Sequence, residues 1–118
     1  MDLETAFSNA EAICQGLGGH VSFFKTEEEL EAYNAVKNGR REWLGIKRQN
    51  GNQWFTMDGV ESTVFDWRDG EPNNFNGIED CVETSNATGL IQWNDKRCDV
   101  NRLFSCRLET TVPFDQEC

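Results

Sequence analysis

The sequence predicts an α+β domain stapled by disulfides. Three observations predict it. Two early stretches, Leu3 to Gln15 and Thr26 to Asn38, carry apolar residues at helical spacing. The rest of the chain holds short β-prone runs separated by turn residues. Cys14, Cys81, Cys98, Cys106 and Cys118 are spread widely and form no CxxC pair, which in a small acidic domain reads as a disulfide framework from an oxidising compartment. At 118 residues the chain is one domain by length. Eight Phe and four Trp supply a core and argue against disorder.

The elements follow in order. Leu3, Phe7, Ala10, Ile13 and Cys14 fall on one helical face, Thr5 is placed to cap it, and Gly16, Gly18 and Gly19 end it. His20 to Phe24 is a short extended segment. Thr26 followed by Glu29 is a capping box, and Glu27, Glu28 and Glu29 suit the positive end of the helix dipole. This acidic run therefore has a structural explanation. Glu42 to Lys47 reads as a buried strand, Asn50-Gly51 as a hairpin turn and Gln53 to Thr56 as the returning strand. From Val60 to Asn76 regular pattern is lost, with Gly70, Pro72 and a run of asparagines, and with Phe65 and Trp67 as anchors. A long irregular stretch inside a compact domain usually carries function. Asp80 to Glu83 and Leu90 to Asp95 are strands flanking a polar loop, and Leu103 to Leu108 closes a domain of residues 1–108. Residues 109–118 form a polar C-terminal tail.

Charge and composition exclude several functions. The net charge of −10 repels a phosphate backbone, so no nucleic acid partner is expected. No apolar run is long enough to cross a bilayer. His20 is the lone histidine, which argues against a zinc site and against a Ser–His or Cys–His nucleophile, and it reads as a strand residue near a turn. Asn86-Ala87-Thr88 is an N-glycosylation acceptor pattern, which agrees with a secreted or extracellular protein. Met1 is followed at once by Asp2-Leu3-Glu4, with no leader, so a mature chain is expected.

Chemistry concentrates in two short clusters, Glu71, Asn73 and Glu79, then Asn94 and Asp95. Three carboxylates and two amides make a set of hard oxygen donors, which is what Ca2+ takes.

With these residues in place the chain resembles the C-type lectin-like domains. The resemblance runs through the helix ending in Cys14, Gly18-Gly19-His20, Trp43-Leu44-Gly45, Glu71-Pro72-Asn73, Glu79-Asp80-Cys81, Trp93-Asn94-Asp95, Cys98 and Phe104-Ser105-Cys106. It implies two helices flanking small antiparallel sheets, with a long irregular loop region for calcium and sugar. It implies disulfides Cys14–Cys106 and Cys81–Cys98, each stabilising by roughly 2–4 kcal/mol. Cys118 is then left over and offers a route to a homo-oligomer. Family members usually carry a further strand before the first helix. Here only Met1 to Glu4 precede it, so that strand is expected to be missing or truncated.

The resemblance also implies the function: a calcium-dependent lectin in which Glu71, Asn73, Glu79, Asn94 and Asp95 hold one Ca2+ and the sugar together. Two vicinal sugar hydroxyls would complete the coordination, carboxylates accepting hydrogen bonds from them and amides donating. Pro72 is expected in a cis bond. The Glu-Pro-Asn order resembles the members that take mannose, fucose, glucose or N-acetylglucosamine, so glycans and glycoproteins bearing such sugars are the expected partners. Some members carry a second calcium site. Glu79 and Asp80 suit it, but Asn74 and Lys47-Arg48-Gln49 stand where acids are wanted, so a second site is poorly supported. The alternative is a lectin-like module that binds a protein or another surface, ice included. Trp93 is expected in the core beside the ligand strand. No enzyme is expected, because calcium would hold Glu71 and Glu79 ionised and remove the general acid.

Overall fold

The computed structural model describes residues 3–36, 40–49, 51–85 and 92–109. Helix α1 spans Phe7–Gly16 and buries Phe7, Ala10, Glu11 and Cys14. It starts later than the apolar spacing suggests, because the Thr5 backbone is engaged elsewhere. Thr5 N–H donates to the Arg102 carbonyl at 2.9 Å and Arg102 N–H returns the bond at 3.0 Å. Thr5 is therefore a bridge to the end of the chain and not the helix cap, which is Ala6, and Leu3 is exposed. The buried Glu11 carboxylate accepts from Val21 N–H at 2.9 Å, from Gln15 Nε2 at 2.9 Å and pairs with His20 Nδ1 at 2.5 Å. His20 thus serves the packing of α1.

Strand β1 (Gly19–Val21) leads to helix α2 (Glu27–Val36). The capping box forms: Glu29 N–H donates to Thr26 Oγ1 at 3.1 Å, and Glu29 Oε1 accepts from Lys25 N–H at 2.7 Å. Strands β2 (Trp43–Gln49), β3 (Gln53–Thr56), β4 (Cys81–Thr84) and β5 (Trp93–Lys96) make an antiparallel sheet in the order β3-β2-β4-β5. Strand β6 (Cys106–Leu108) pairs antiparallel with β1 in a separate two-stranded ribbon. Gly45 lets the two sheets touch. Its N–H donates to the Ser22 carbonyl at 2.7 Å, and a Cβ there would lie 2.0 Å from the Val21 carbonyl oxygen.

Two apolar clusters hold the layers together. One joins α1 to Val21, Trp43, Cys81 and Phe104. The other gathers Phe23, Phe24, Leu44, Trp54, Val82 and Trp93. Trp93 is fully buried and so belongs to the core. Bridges join Cys14 to Cys106 and Cys81 to Cys98, tying α1 to β6 and β4 to the turn after β5. Asn50, the glycosylation pattern at Asn86, the Leu90-Ile91 start of the ligand strand and Cys118 lie outside the described residues.

Candidate functional site

The site is built on β5 and on the irregular segment laid against it. Trp93 N–H donates to the Asp66 carbonyl at 2.7 Å, and Arg68 N–H donates to the Trp93 carbonyl at 2.9 Å. Glu71 N–H then closes a turn onto the Arg68 carbonyl at 2.9 Å. The Glu71–Pro72 peptide bond is cis. Beyond it, Asn73 N–H reaches Asp95 Oδ1 at 3.2 Å and Asn74 N–H reaches Asp95 Oδ2 at 2.7 Å. Asp95, fully buried on β5, thus organises the segment with its carboxylate.

A 3-10 turn at Phe75–Gly77 brings Glu79 back to the same place. Asn74 and Asn76 adopt φ of 47° and 59°, a left-handed region that asparagine tolerates. Asn74 Oδ1 accepts from Glu79 N–H at 3.0 Å, and Glu79 Oε1 accepts from Phe75 N–H at 3.2 Å. The same Phe75 N–H lies 3.3 Å from Asn73 Oδ1. Asn73 N–H also lies 3.2 Å from Glu71 Oε1. Glu71, Asn73, Glu79 and Asp95 are therefore linked into one cluster by a few shared backbone donors.

The electrostatics of the cluster are unusual for a surface so rich in acids. Burial pushes the Glu71 carboxyl above its ordinary range, and contact with Asp95 and its charge adds to this, while Arg68 at 3.6 Å offsets part of it. Burial likewise pushes Glu79 up, with the Asp95 charge acting in the same direction. Carboxylates that face one another in this way gain most from a bound cation. Three carboxylates with amide oxygens nearby fit calcium in donor chemistry.

Asn94 stands differently. It sits opposite Glu83 in the β4–β5 register, with Asp95 opposite Val82, so adjacent side chains leave β5 on opposite faces. Asn94 Nδ2 donates to Glu83 Oε2 at 2.9 Å, and Glu83 is buried and held by Arg102 Nε at 2.6 Å. One of the two amide donors of Asn94 is engaged there, leaving the other and Oδ1. Among the described residues, no three histidine, cysteine, aspartate or glutamate side chains close on one point as a finished metal shell.

Three participants carry little or no signal in the sequence. Glu83 orients Asn94 across the β4–β5 pair, and Asn74 closes the 74–79 loop onto Glu79. Arg48 donates to Asp95 Oδ2 at 3.0 Å, although it stands on β2, far away in sequence. For Asn74 the asparagines at 73, 74 and 76 are a cue, since that residue type favours left-handed turns.

The comparisons with known proteins agree with this architecture. The model of the Lectin C-type domain matches residues 4–108. C-type lectin 1 of Hydrophis hardwickii is 37% identical over 68 residues, covering 57% of this chain and 42% of the relative. E-selectin of Sus scrofa is 32% identical over 113 residues, covering 91% of this chain and 23% of the relative. The chain thus spans less than half the length of either. Among solved structures, the mouse scavenger receptor C-type lectin carbohydrate-recognition domain superposes with a TM-score of 0.82 at 28% identity, covering 96% of this chain and 88% of that one. Two helices, small antiparallel sheets and two disulfides at these positions, together with a family match over almost the whole length, make this chain a member of the C-type lectin domain family.

Proposed function

We propose that the domain binds carbohydrate through calcium, with a preference for mannose, fucose, glucose or N-acetylglucosamine over galactose. The observation that carries this reading is the cluster in which Glu71 and Glu79 face the buried Asp95 carboxylate next to Asn73. Glu71, Asn73, Glu79 and Asp95 would hold one Ca2+, with Asn94 turning from Glu83 to join them, and the role of the ion when bound is to take two vicinal sugar hydroxyls in place of water. The protein's own groups then do the recognising. Each hydroxyl donates one hydrogen bond to a carboxylate, Glu71 or Glu79, and accepts one from an amide, Asn73 or Asn94. Hydrogen bonds to charged acceptors are the stronger kind. The Glu-Pro-Asn order supports the mannose type. The relation to a carbohydrate-recognition domain at 28% identity supports glycans as the ligand class.

No catalysis is assigned. With a cation between them, Glu71 and Glu79 cannot supply a general acid, and His20 is paired with Glu11. Among the described residues no helix is long and apolar enough to cross a membrane, and the two disulfides support an oxidising, extracellular setting. A single sugar touches few groups, so useful avidity needs more than one site, and Cys118 supplies a covalent route to a homo-oligomer. A glycan array run in calcium and in EGTA tests the reading. Binding to mannose-type glycans that EGTA abolishes is the expected result, and a preference for galactose would sink the specificity.

Exposed Phe75 and Ile78 on the same loop favour a second reading, a module that binds a protein surface. Calcium-dependent capture of a protein that mannose fails to compete would support that reading over sugar.

A further inference from the structure

Arg48 is a buried cation in a cage of oxygens. Its side chain is only 8% exposed. The guanidinium donates to the Glu79 carbonyl from Nε at 3.3 Å and from Nη2 at 3.1 Å. Nη2 also donates to Asp95 Oδ2 at 3.0 Å, and Nε lies 3.3 Å from Asp80 Oδ1. Nη1 donates to the Gly51 carbonyl and to Asn52 Oδ1, both at 3.2 Å. The Trp54 ring covers one face at 4.5 Å. Carbonyls, an amide oxygen and two carboxylates around one centre are the donors a hard metal ion would take. Here the charge at the centre is covalently attached to β2.

We propose that Arg48 is a positioning residue that takes the place of a second metal ion. It fixes one oxygen of Asp95 and the backbone of Glu79 while leaving Asp95 Oδ1 and the Glu79 carboxylate for the calcium site. The proposal rests on the calcium reading above. Its physical basis is the planar fork of arginine, which satisfies several acceptors at fixed angles where a lysine would offer a point charge. Because Asp95 Oδ2 also accepts from Asn74 N–H, one guanidinium bond sets both the strand side and the loop side of the site. A second cation beside Asp80 and Asp95 would meet this charge at close range, so the geometry allows one calcium per chain. The 73–79 segment also keeps its arrangement without calcium.

Two measurements test this. Isothermal titration of the wild-type chain with calcium should give one ion per chain, and two would overturn the proposal. Hydrogen exchange is then followed for wild type, Arg48→Lys and Arg48→Met, each in EGTA and in calcium. In EGTA the peptide covering residues 73–79 should exchange at least tenfold faster in Arg48→Met than in wild type, with Arg48→Lys between them. Peptides from α1 and β1 should be unchanged, and calcium should return the loop of Arg48→Met close to the wild-type rate. Equal loop exchange in all three proteins would contradict the positioning role, and so would faster exchange throughout the domain. If the wild type takes up no calcium, the metal reading fails on its own, while the EGTA comparison still decides whether Arg48 fixes the loop.

Discussion

Two sets of carboxylates in this domain sit in opposite surroundings. Glu29 accepts from Arg107 Nη1 at 2.8 Å and from the Lys25 backbone at 2.7 Å, and these bonds hold its carboxyl below its ordinary value of 4.5. Burial pushes Asp58 up, but hydrogen bonds from Lys25 and Thr56 outweigh it, with Lys25 Nζ at 2.6 Å, so its carboxyl is lowered. Glu71 and Glu79 go the other way, raised by burial and by the Asp95 carboxylate they face. Glu29 and Asp58 each accept from a cationic side chain and are lowered, whereas Arg68 only partly offsets the Asp95 charge that Glu71 faces. Acids that face another acid are relieved by a cation from outside. In a chain of net charge −10 that difference separates Glu71 and Glu79 from Glu29 and Asp58.

The comparison can be broken most sharply at Asp95. Asp95→Asn removes the shared carboxylate and should lower calcium affinity by at least about 100-fold, the upper end of what losing even an outer-shell partner costs. Calorimetric titration reads this directly, and an unchanged affinity would remove Asp95 from the site. Glu79→Gln should separate binding from stability. Calcium affinity falls, yet in EGTA at neutral pH the urea midpoint rises, because a buried charge facing another charge has been removed. A lower midpoint in EGTA would mean that Glu79 is a structural acid like Glu29.

The pH dependence follows with opposite signs. Glu71 and Glu79 have folded values above the ordinary 4.5, so in calcium-free protein the folded state holds more protons than the unfolded one. Their contribution to stability is fullest below that ordinary value and is lost as pH rises through the folded values. Glu29 and Asp58 are depressed, so their contribution is present above their ordinary values of 4.5 and 3.8 and is lost as pH falls through the folded ones. Urea midpoints from acid to neutral pH in EGTA, taken for wild type and for a Glu71→Gln, Glu79→Gln double variant, should show the wild type losing ground to the variant as pH rises. The smallest effect belongs to Glu29→Gln. Its pair is partly exposed and screened, so stability falls by no more than about 1 kcal/mol with calcium affinity unchanged.

Local features were legible from sequence and distant ones were not. The capping box at Thr26 and Glu29 forms because its partners are three residues apart. The helix expected from Leu3 begins at Phe7, because the Thr5 backbone pairs with Arg102 at the other end of the chain, a contact that no periodicity records. Four of the cysteines could pair in three ways on spacing alone, and only the resemblance implied the pairing seen between Cys14 and Cys106 and between Cys81 and Cys98. The oxygen donors around Glu71 were visible as residue types. That Asn94 turns toward Glu83, and that Arg48 reaches Asp95 from another strand, depends on sheet register and on a buried guanidinium, neither of which a linear reading supplies.

The central claim is that Glu71 and Glu79, which face Asp95, take part in holding calcium and sugar, and that Glu29, which pairs with Arg107, does not. Retention on a mannose column tests it most directly, with wild type, Glu79→Gln and Glu29→Gln run side by side in calcium and in EGTA. The account predicts that wild type and Glu29→Gln are retained in calcium and released by EGTA, while Glu79→Gln flows through in both. Retention of Glu79→Gln equal to that of wild type, or retention of wild type that EGTA leaves unchanged, would contradict it.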